Sequence, residues 1–354
     1  MISYEALLQL LSPGALTVRA QTVSPNDDGR LLWDTFFPRK DVDSVDLDDV
    51  YTIDFRPVSD RREWNARGRH VPVKTPTLRK VSIVPIEGYA RIAEKEMQKL
   101  GERADGNRET LLRLIGARIP DRVKAIALAN FRRLELDAFE AWTKGTVTQR
   151  NPQDASKTYT ASLNIDASRI QTAGTAWNDA GVNAWDLNLA WLSDGAAAVG
   201  PLKGEMLRQT TFNAIRADAP TGVGGVKYSV ADLQKIIQDE LQTDFAFYIN
   251  ERSVDVFTDG GDATTPTKVF PSQRIVAIPA DNIVGDACFA PVVRADDLDG
   301  IPDNSGIQPG DVDPRLNRVY RETSGNGRFA NYEVQMNGLC VPTEQKVWAI
   351  NAGV

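Results

Sequence analysis

The stretch "DRVKAIALANFRRLELDAFEAWTKG" (Asp121 to Gly145) carries the strongest structural signal in the chain. Apolar side chains recur in it at spacings of three and four, which predicts an α-helix that buries one face. Asp121 can cap the first turn, and Gly145 can end the helix in a left-handed conformation. A helix of about 24 residues would be roughly 36 Å long. Its buried stripe comprises Val123, Ala127, Phe131, Leu134, Ala138 and Trp142.

Upstream of this helix, charge of one sign lies directly beside charge of the other. The segment "DFRPVSDRREWNARGRHVPVKT" (Asp54 to Thr75) carries five arginines between Arg56 and Arg69, with a tryptophan in the middle. The preceding residues, Asp41 to Asp54, include six aspartates and no Lys, Arg or Glu. Few side chains of the arginine-rich segment could hide in a core, so we expect it to be exposed.

The same region alternates between apolar and polar residues, which predicts strands. From Val45 to Phe55, apolar side chains share one face and aspartates the other. Val71 to Ile86 is also strand-like, but its three prolines favour an exposed ribbon or edge. The two strands, joined by the arginine-rich tip, would form a long hairpin. Because a two-stranded hairpin is marginal in water, this one must pack on something else.

The rest of the chain mixes helical and strand-like patterns, which indicates an α+β fold. A second, smaller hairpin is predicted between Gly145 and Ile165. Predicted helices cover Glu87–Arg103, Ala184–Val199, Lys203–Arg216 and the segment "SVADLQKIIQDEL" that Ser229 opens. Predicted strands cover Ala246–Ile249, Ser253–Phe257, Arg274–Ile278 and two parts of the C-terminal "YEVQMNGLCVPTEQKVWAINAG".

Composition places the chain among ordinary globular proteins. It has 354 residues, 42% hydrophobic and 25% charged, which suffices for one large domain or two smaller ones. The net charge of −7 disfavours general binding to DNA or RNA. Cys288 and Cys340 form no disulfide framework, so we expect two buried thiols in a reducing compartment. We find no signal peptide and no stretch long enough to span a membrane.

Residues suited to catalysis or metal binding are scarce. The single histidine, His70, lies in the arginine-rich segment, where a rigid supporting shell is not expected. The loop "PTGVGGVK" (Pro220 to Lys227) lacks the third glycine of a dinucleotide fingerprint and the Gly-Lys-Ser/Thr of a phosphate-binding loop. The loop "DDLDGIPDNSG" lacks the glutamate that would complete a calcium site. We therefore predict no catalytic residue, no metal site and no cofactor.

The N-terminal part combines a short amphipathic stretch, Tyr4 to Leu11, with the apolar motif "LLWDTFFP" (Leu31 to Pro38). This part is either an arm with sticky apolar patches or an ordinary first helix followed by a loop. In the first case, Trp33, Phe36 and Phe37 would be exposed on an isolated subunit and available to a neighbour.

The order of these elements resembles that of one protein family. A loose arm, a long exposed hairpin, a long helix ending in "AWTKG" and a second hairpin come first, followed by "AGTAW" (Ala173 to Trp177) and a mixed region. The chain ends in "CVPTEQKVWAINAG", where Pro342 and Val347 match a common ending of the family. Over about residues 31–352, the sequence resembles the lambda-like major capsid proteins (major capsid protein E) of tailed bacteriophages. The resemblance implies the Hong Kong 97-type capsid fold.

The resemblance also implies five regions. They are an N-terminal arm, an extended hairpin loop that reaches over a neighbouring subunit, a peripheral domain around a spine helix, an axial domain that meets its copies at the capsomer centre, and a return into the peripheral domain. In that order, they cover residues 1–34, 35–86, 87–184 with the spine helix at 121–145, 185–311 and 312–354.

The implied function is structural: copies in hexamers and pentamers would close an icosahedral virion head around double-stranded DNA, without sequence-specific binding. A negative subunit suits such a wall, since many basic subunits would hold the packaged DNA. The portal and a decoration protein are further implied partners. Because the sequence starts at Met1 with no preceding scaffold segment, we also expect a separate scaffolding protein during assembly in the host cytoplasm.

The residues themselves also favour self-association. The formal charge is −6 from Asp41 to Asp54, and eight basic with two acidic residues give +6 from Phe55 to Lys80. Cross-strand pairing can neutralise charges along the ribbon, but the arginines at the tip have no aspartate strand beside them. We hypothesise that the tip binds an acidic surface of an adjacent subunit. The candidate inter-subunit contact residues are Arg56, Arg61, Arg62, Trp64, Arg67, Arg69, Asp46, Asp48, Asp49, Trp33, Phe36 and Phe37.

Two alternative functions stay open at this point. An encapsulin-like shell would have the same fold but would enclose cargo protein. An unrelated α/β enzyme could bind a nucleotide through the loop Gly222 to Gly225. Cargo protein inside the particles would identify the first alternative, and thermal stabilisation by a nucleotide would identify the second.

Overall fold

The computed structural model describes most of the chain, and three buried hydrophobic clusters organise it. The described residues are 13–24, 27, 31–51, 77–90, 99–100, 102–105, 107–151, 154–221, 225, 227–257, 264–292, 313, 315–323 and 330–354.

The described residues contain both helices and strands. The α-helices there are α1 (Pro13–Gln21), α2 (Trp33–Phe36), α3 (Arg108–Lys144), α4 (Ala184–Val199), α5 (Gln209–Asp218) and α6 (Val230–Leu241). The strands are β1 (Arg39–Asp41), β2 (Asp46–Tyr51), β3 (Thr77–Ser82), β4 (Pro85–Ala90), β5 (Thr146–Asn151), β6 (Asp154–Ser162), β7 (Ile170–Thr172), β8 (Leu202–Leu207), β9 (Ala246–Ile249), β10 (Ser253–Phe257), β11 (Thr264–Lys268), β12 (Arg274–Pro279), β13 (Gly285–Ala290), β14 (Arg318–Thr323), β15 (Ala330–Pro342) and β16 (Ala349–Asn351). A 3₁₀ turn, Glu344–Lys346, precedes β16.

Most of these strands belong to two five-stranded sheets. In the first sheet, β15 pairs with β13, β14 and β4, and β1 adds to β13 in parallel. The second sheet has the order β7–β16–β12–β8–β9. The other strands form three two-stranded ribbons, β2–β3, β5–β6 and β10–β11. The predicted α+β class is confirmed.

The long helix α3 begins earlier than the sequence pattern predicts. Asn107, not Asp121, caps it, and its side-chain oxygen accepts two backbone N–H groups of the first turn. The prediction starts the helix at Asp121 because an aspartate can cap the first turn. The helix continues through Pro120 all the same, since Ile119 and Val123 on either side of it are buried in one cluster.

The end of α3 is as predicted. Gly145 adopts a φ of +68°, and its N–H donates to the Ala141 carbonyl at 2.9 Å. A Cβ at this position would lie 2.9 Å from Ile170 Cδ1. Both the left-handed backbone and the close packing therefore require glycine.

The predicted stripe of α3 is confirmed as part of the largest buried cluster. Its six side chains are no more than 3% exposed. The ring centroid of Trp142 lies 5.1 Å from that of Phe36 and 6.2 Å from that of Phe139. Helix α3 packs on β15, whose Val334 and Met336 belong to the same cluster.

Two predicted helices are wrong in part, because pairing with distant strands prevails over local pattern. The helix predicted at Glu87–Arg103 begins with the end of strand β4, which pairs along β15. The helix predicted at Lys203–Arg216 contains strand β8 before helix α5, since β8 lies between β12 and β9. The predicted second hairpin (β5–β6), helices α4 and α6 and strands β9, β10, β12, β15 and β16 are confirmed.

Glu205, on β8, is a fully buried carboxyl group beneath helix α4. Asn188 Nδ2 on α4 donates to Glu205 Oε1 at 3.1 Å, whereas Glu205 Oε2 and Asn188 Oδ1 have no hydrogen-bond partner. Burial raises the pKa of Glu205 to about 8, and the bond from Asn188 offsets only part of this shift. Glu205 is therefore a neutral carboxylic acid at pH 7. Its proton gives the group an O–H that can donate a hydrogen bond, whereas the ionised form could only accept one.

We expect this carboxyl group to make the subunit less stable as pH rises from about 5 to about 8. In this range the unfolded Glu205, with an ordinary pKa of 4.5, loses its proton, whereas the folded one keeps it until about pH 8. Rising pH therefore favours unfolding, by roughly 5 kcal/mol in total. Glu205→Gln stays neutral beside Asn188 and should flatten the pH dependence of the melting temperature. If the melting temperatures of the variant and the wild type changed equally with pH, this expectation would be contradicted.

Replacing Phe131 or Trp142 with alanine should lower the free energy of unfolding by about 3–5 kcal/mol, because each change leaves a cavity in the packed cluster. Lys124→Ala, at an exposed position of the same helix, is the control and should change it by less than about 0.5 kcal/mol. Urea denaturation measures the free energy of unfolding of all three variants. Wild-type stability in both aromatic variants would show that α3 is not a core helix.

Candidate assembly interface

The charged hairpin predicted from the sequence is confirmed where the structure describes it. Strand β2 pairs antiparallel with β3, from Asp46 opposite Ser82 to Tyr51 opposite Thr77. At the inner end of this ribbon, the Ser82 hydroxyl donates to the Asp46 carboxylate at 2.6 Å. Residues 52–76, which include the predicted tip, lie outside the described residues.

The register of the ribbon places acidic residues opposite basic ones. Asp48 lies opposite Lys80, and Asp49 lies opposite Arg79. Cross-strand pairs of opposite charge contribute only tenths of a kcal/mol each, so this order of charges adds little to the stability of the subunit. The contacts of the predicted tip residues stay a prediction, since these positions are not among those described: Arg56, Arg61, Arg62, Trp64, Arg67 and Arg69.

A small hydrophobic cluster holds the root of this hairpin. Val81 and Ile83 are no more than 6% exposed and belong to one cluster with Cys288 and Leu339 of the first sheet and Val147 of ribbon β5–β6. The second strand of the predicted hairpin divides here into β3, in the ribbon, and β4, in the first sheet. Apolar packing therefore fixes the hairpin to the core at its root.

Side chains of α3 hold the second ribbon, β5–β6. Arg133 Nη2 donates to the Thr148 carbonyl at 2.6 Å, and Glu140 accepts the Thr148 N–H and hydroxyl, both at 3.0 Å. These side chains take the place of a third strand beside β5. Arg133 also forms an ion pair of 2.7 Å with Asp137; burial raises the pKa of Asp137 to about 6, although Arg133 opposes the shift.

These contacts are not predicted from the sequence. The pattern of α3 identifies its apolar face, but it gives no signal that polar residues such as Arg133 and Glu140 face another part of the chain. The nearest signal is their spacing: Arg133, Asp137 and Glu140 recur every three or four positions and so share one side of the helix.

The prediction of an exposed apolar arm is wrong for the three aromatic residues near the N-terminus. Trp33, Phe36 and Phe37 are only 1–4% exposed. Trp33 stacks on Phe131 with 6.2 Å between ring centroids, and both phenylalanines contact Trp142. Helix α3 supplies the apolar partner that the prediction assigns to a neighbouring subunit. These rings therefore stabilise the subunit itself, and they are not exposed contact residues.

The part of the chain that the structure describes contains no group of three or more His, Cys, Asp or Glu residues arranged to hold a metal ion. Cys288 and Cys340 are buried on opposite faces of neighbouring strands, and burial raises the pKa of the Cys340 thiol. His70 and residues 222–224 of the glycine-rich loop lie outside the described residues. Among the described helices, none combines the length and apolarity needed to cross a membrane.

No protein-family model and no curated protein matches the sequence. The fold does match a crystal structure, that of the protein assigned as the capsid protein of a prophage in Escherichia coli CFT073. The two chains share 12% identity and superpose with a TM-score of 0.53, over 96% of this chain and 99% of the other. This chain has a phage capsid fold. The Hong Kong 97-type fold predicted from the sequence is confirmed.

Two further structures align with the chain at lower similarity. The satellite phage P4 procapsid, solved with its size determination protein, gives 11% identity and a TM-score of 0.46, over 96% of this chain and 90% of the other. A virus-like particle from Pyrococcus furiosus gives 8% identity and a TM-score of 0.43, over 94% and 97%. Because both scores are below 0.5, we draw nothing further from them.

Within this capsid fold, Glu140→Ala should loosen ribbon β5–β6 from α3 and lower the free energy of unfolding by about 1–3 kcal/mol, because the Thr148 N–H loses its acceptor. Glu140→Gln retains one acceptor oxygen and should lower the free energy of unfolding by less. Glu240→Ala, at an exposed position of α6, is the control. Hydrogen exchange at the Thr148 amide provides the local measurement. Full protection of that amide in Glu140→Ala would mean that α3 does not hold the ribbon.

Proposed function

We propose that this chain is a major capsid protein of a tailed bacteriophage, which assembles into an icosahedral head shell around double-stranded DNA. The observation that carries the proposal is the capsid fold, which extends over 96% of the chain. Because one fold can serve several functions, the surface matters as well. Here the described strands support self-association, since acidic positions of β2 are aligned with basic positions of β3 in a ribbon that is rooted in the core.

The regions implied by the family resemblance form part of this proposal. They are the N-terminal arm (1–34), the extended loop (35–86), the peripheral domain (87–184), the axial domain (185–311) and the C-terminal return (312–354). The position of β15 beneath α3 supports the return into the peripheral domain. The pairing of β16 with β12 and β7 means that the same return also reaches the second sheet.

In the assembled shell, the arginine-rich tip of the hairpin binds an acidic surface of an adjacent subunit. Trp64 packs into that surface as an apolar anchor. The register supports this assignment, since Asp48 and Asp49 are aligned with Lys80 and Arg79 along the ribbon and not with the tip arginines. Complementary charge then sets the position of one copy on the next and speeds their encounter more than it tightens the contact.

Other copies of the chain, in hexamers and pentamers, are the main partners. A separate scaffolding protein acts during assembly in the host cytoplasm, and a portal and a decoration protein join the virion. The net charge of −7 keeps the inner wall from holding the packaged DNA tightly. The DNA is therefore enclosed without sequence-specific contacts.

The purified chain should form rings, shells or aberrant sheets instead of a monomer, because the charged ribbon has its complement on another copy. Light scattering over a wide range of concentrations, followed by electron microscopy, tests this. A sharp monomer peak throughout would contradict the proposal, and efficient closure of correct shells by this chain alone would remove the need for scaffolding. Particles that contain cargo protein would indicate an encapsulin-like role, and thermal stabilisation by a nucleotide would indicate an enzyme.

The double variant Arg61→Glu with Arg62→Glu should leave the subunit folded and should block or slow shell formation. The defect should be greater at low salt, where like charges are less screened. The matched control, Arg61→Lys with Arg62→Lys, keeps the charge and should still assemble. Sedimentation gives the assembly yield, and a melting curve of the soluble subunit gives its stability. Normal shells from the glutamate variant would refute the role of the tip, as would an unfolded subunit.

A further inference from the structure

Two short connectors join the charged ribbon β2–β3 to the core. On the outgoing side, β1 pairs with β13, and the Val42 N–H donates to a β13 carbonyl at 2.9 Å before the chain leaves the sheet. On the returning side, the Ile83 N–H donates to the Val45 carbonyl at 2.7 Å before β4 joins β15. The direction of the ribbon therefore depends on the conformation of residues 42–45 and 83–84 together with the apolar packing of Val81 at its base.

Arg315, which comes from the segment before β14, contacts the outgoing connector at two points. Its Nη2 lies 2.8 Å from Asp43 Oδ1, and its Nε donates to the Val42 carbonyl at 3.3 Å. A planar guanidinium that binds two acceptors fixes both their distance and their orientation. A lysine ammonium, as a point charge on a flexible stem, cannot impose the same geometry.

Arg315 is itself held by residues that are anchored in the core. Its backbone N–H donates to Asp313 Oδ1 at 2.9 Å, and the other carboxylate oxygen of Asp313 binds Arg39 on β1. Gln21, at the end of α1, makes two hydrogen bonds to the Asp313 backbone. Partial burial raises the pKa of Asp313, but the bonds from Arg39 and Arg315 outweigh burial and lower it, so Asp313 is an anion at neutral pH.

Because this contact lies at the root of the ribbon, a small change in angle there displaces the far end of the ribbon by several ångströms. A strand of six residues, such as β2, spans roughly 20 Å, so a tilt of about 10° at its root moves its far end by roughly 3–4 Å. The hydrogen bonds that join two surfaces have lengths within about half an ångström of one another. A contact at the root therefore decides whether the outer part of the ribbon meets a neighbouring surface.

We propose that Arg315 is a positioning residue for assembly: by bridging Val42 and Asp43, it sets the direction in which the charged hairpin leaves the subunit. Its role in assembly rests on the capsid function proposed above, whereas its effect on the ribbon does not. Arg315 is 28% and Asp43 is 96% exposed, so their ion pair adds little to folding stability. The bridge thus controls orientation without controlling the fold.

Arg315→Gln and Asp43→Asn remove this ion pair from its two ends. The amides of Val42 and Ile83, which close the two connectors, should then exchange hydrogen roughly 2- to 5-fold faster, as expected when an exposed ion pair is lost. The melting temperature should fall by less than about 3 °C. Lys268→Gln is the control, since it removes a partly exposed ion pair with Glu251 outside the hairpin root and should leave both amides unchanged.

Electron microscopy of assembly products then tests the proposal directly. Arg315→Gln, Arg315→Lys and Asp43→Asn should all give at least about tenfold fewer closed shells than wild type or Lys268→Gln, a factor that corresponds to about 1.4 kcal/mol at the contact. Should Arg315→Gln fail to fold, Asp43→Asn decides, because its side chain is almost fully exposed.

The possible outcomes test the effect of Arg315 on the ribbon separately from its role in assembly. Unchanged exchange at Val42 and Ile83 would overturn the effect of Arg315 on the ribbon. Faster exchange together with normal shells would overturn its role in assembly. If the wild-type chain forms no particles, the proposed capsid function fails and the assembly role fails with it, while the exchange rates still decide whether Arg315 orients the ribbon.

Discussion

The packing of helix α3 on strand β15 is the constraint on which the rest of the structure depends. The helix buries its apolar stripe against a strand from the far end of the chain, and the N-terminal rings of Trp33 and Phe36 fill the space beside Phe131 and Trp142. Both ends of the chain are thereby brought together. The Val319 N–H, for example, donates to the Thr17 hydroxyl across 302 positions. Burial of this kind is the dominant favourable term in folding, so elements that lack a core of their own are stable only by attachment to this one.

The two ribbons that flank α3 illustrate this dependence. Neither β2–β3 nor β5–β6 would persist alone in water, since a two-stranded hairpin has too little surface to bury. Val81 and Ile83 from the first and Val147 from the second share one small cluster against the first sheet. Polar contacts add direction to this apolar support: Glu140 binds the backbone of β5, and Arg315 binds the connector into β2. The placement of each ribbon is thus coupled to the same part of the core.

Sequence pattern alone accounts for the elements whose signal is local. The stripe of α3 and its glycine end, and the alternation that predicts β2, depend on residues only a few positions apart. Most of the wrong predictions involve packing or pairing that the local pattern does not show. Asp121 can cap a helix, yet packing on both sides of Pro120 keeps α3 continuous from Arg108, and residues 87–90, predicted as helix, belong to a strand because β15 pairs with them. For the candidate interface, the motif "LWDTFF" has the same apolar composition whether it binds α3 or another subunit, so its burial could not be predicted.

Buried aromatic packing stabilises the fold, whereas exposed charge pairs are available for the proposed assembly. The rings of Trp33, Phe36 and Phe37, which could have formed contacts between subunits, lie inside the subunit. The hairpin root exposes charge instead: Asp43, whose side chain is 96% exposed, forms an ion pair with Arg315. Exposed pairs contribute little to folding individually, and salt screens them. Such contacts suit a closed shell, because a misplaced subunit held by a few of them can dissociate, whereas a correctly placed one engages several neighbours at once and gains the combined affinity. Under the proposed capsid function, the subunit can therefore be stable before assembly, while the order of the shell would come from many weak contacts between subunits.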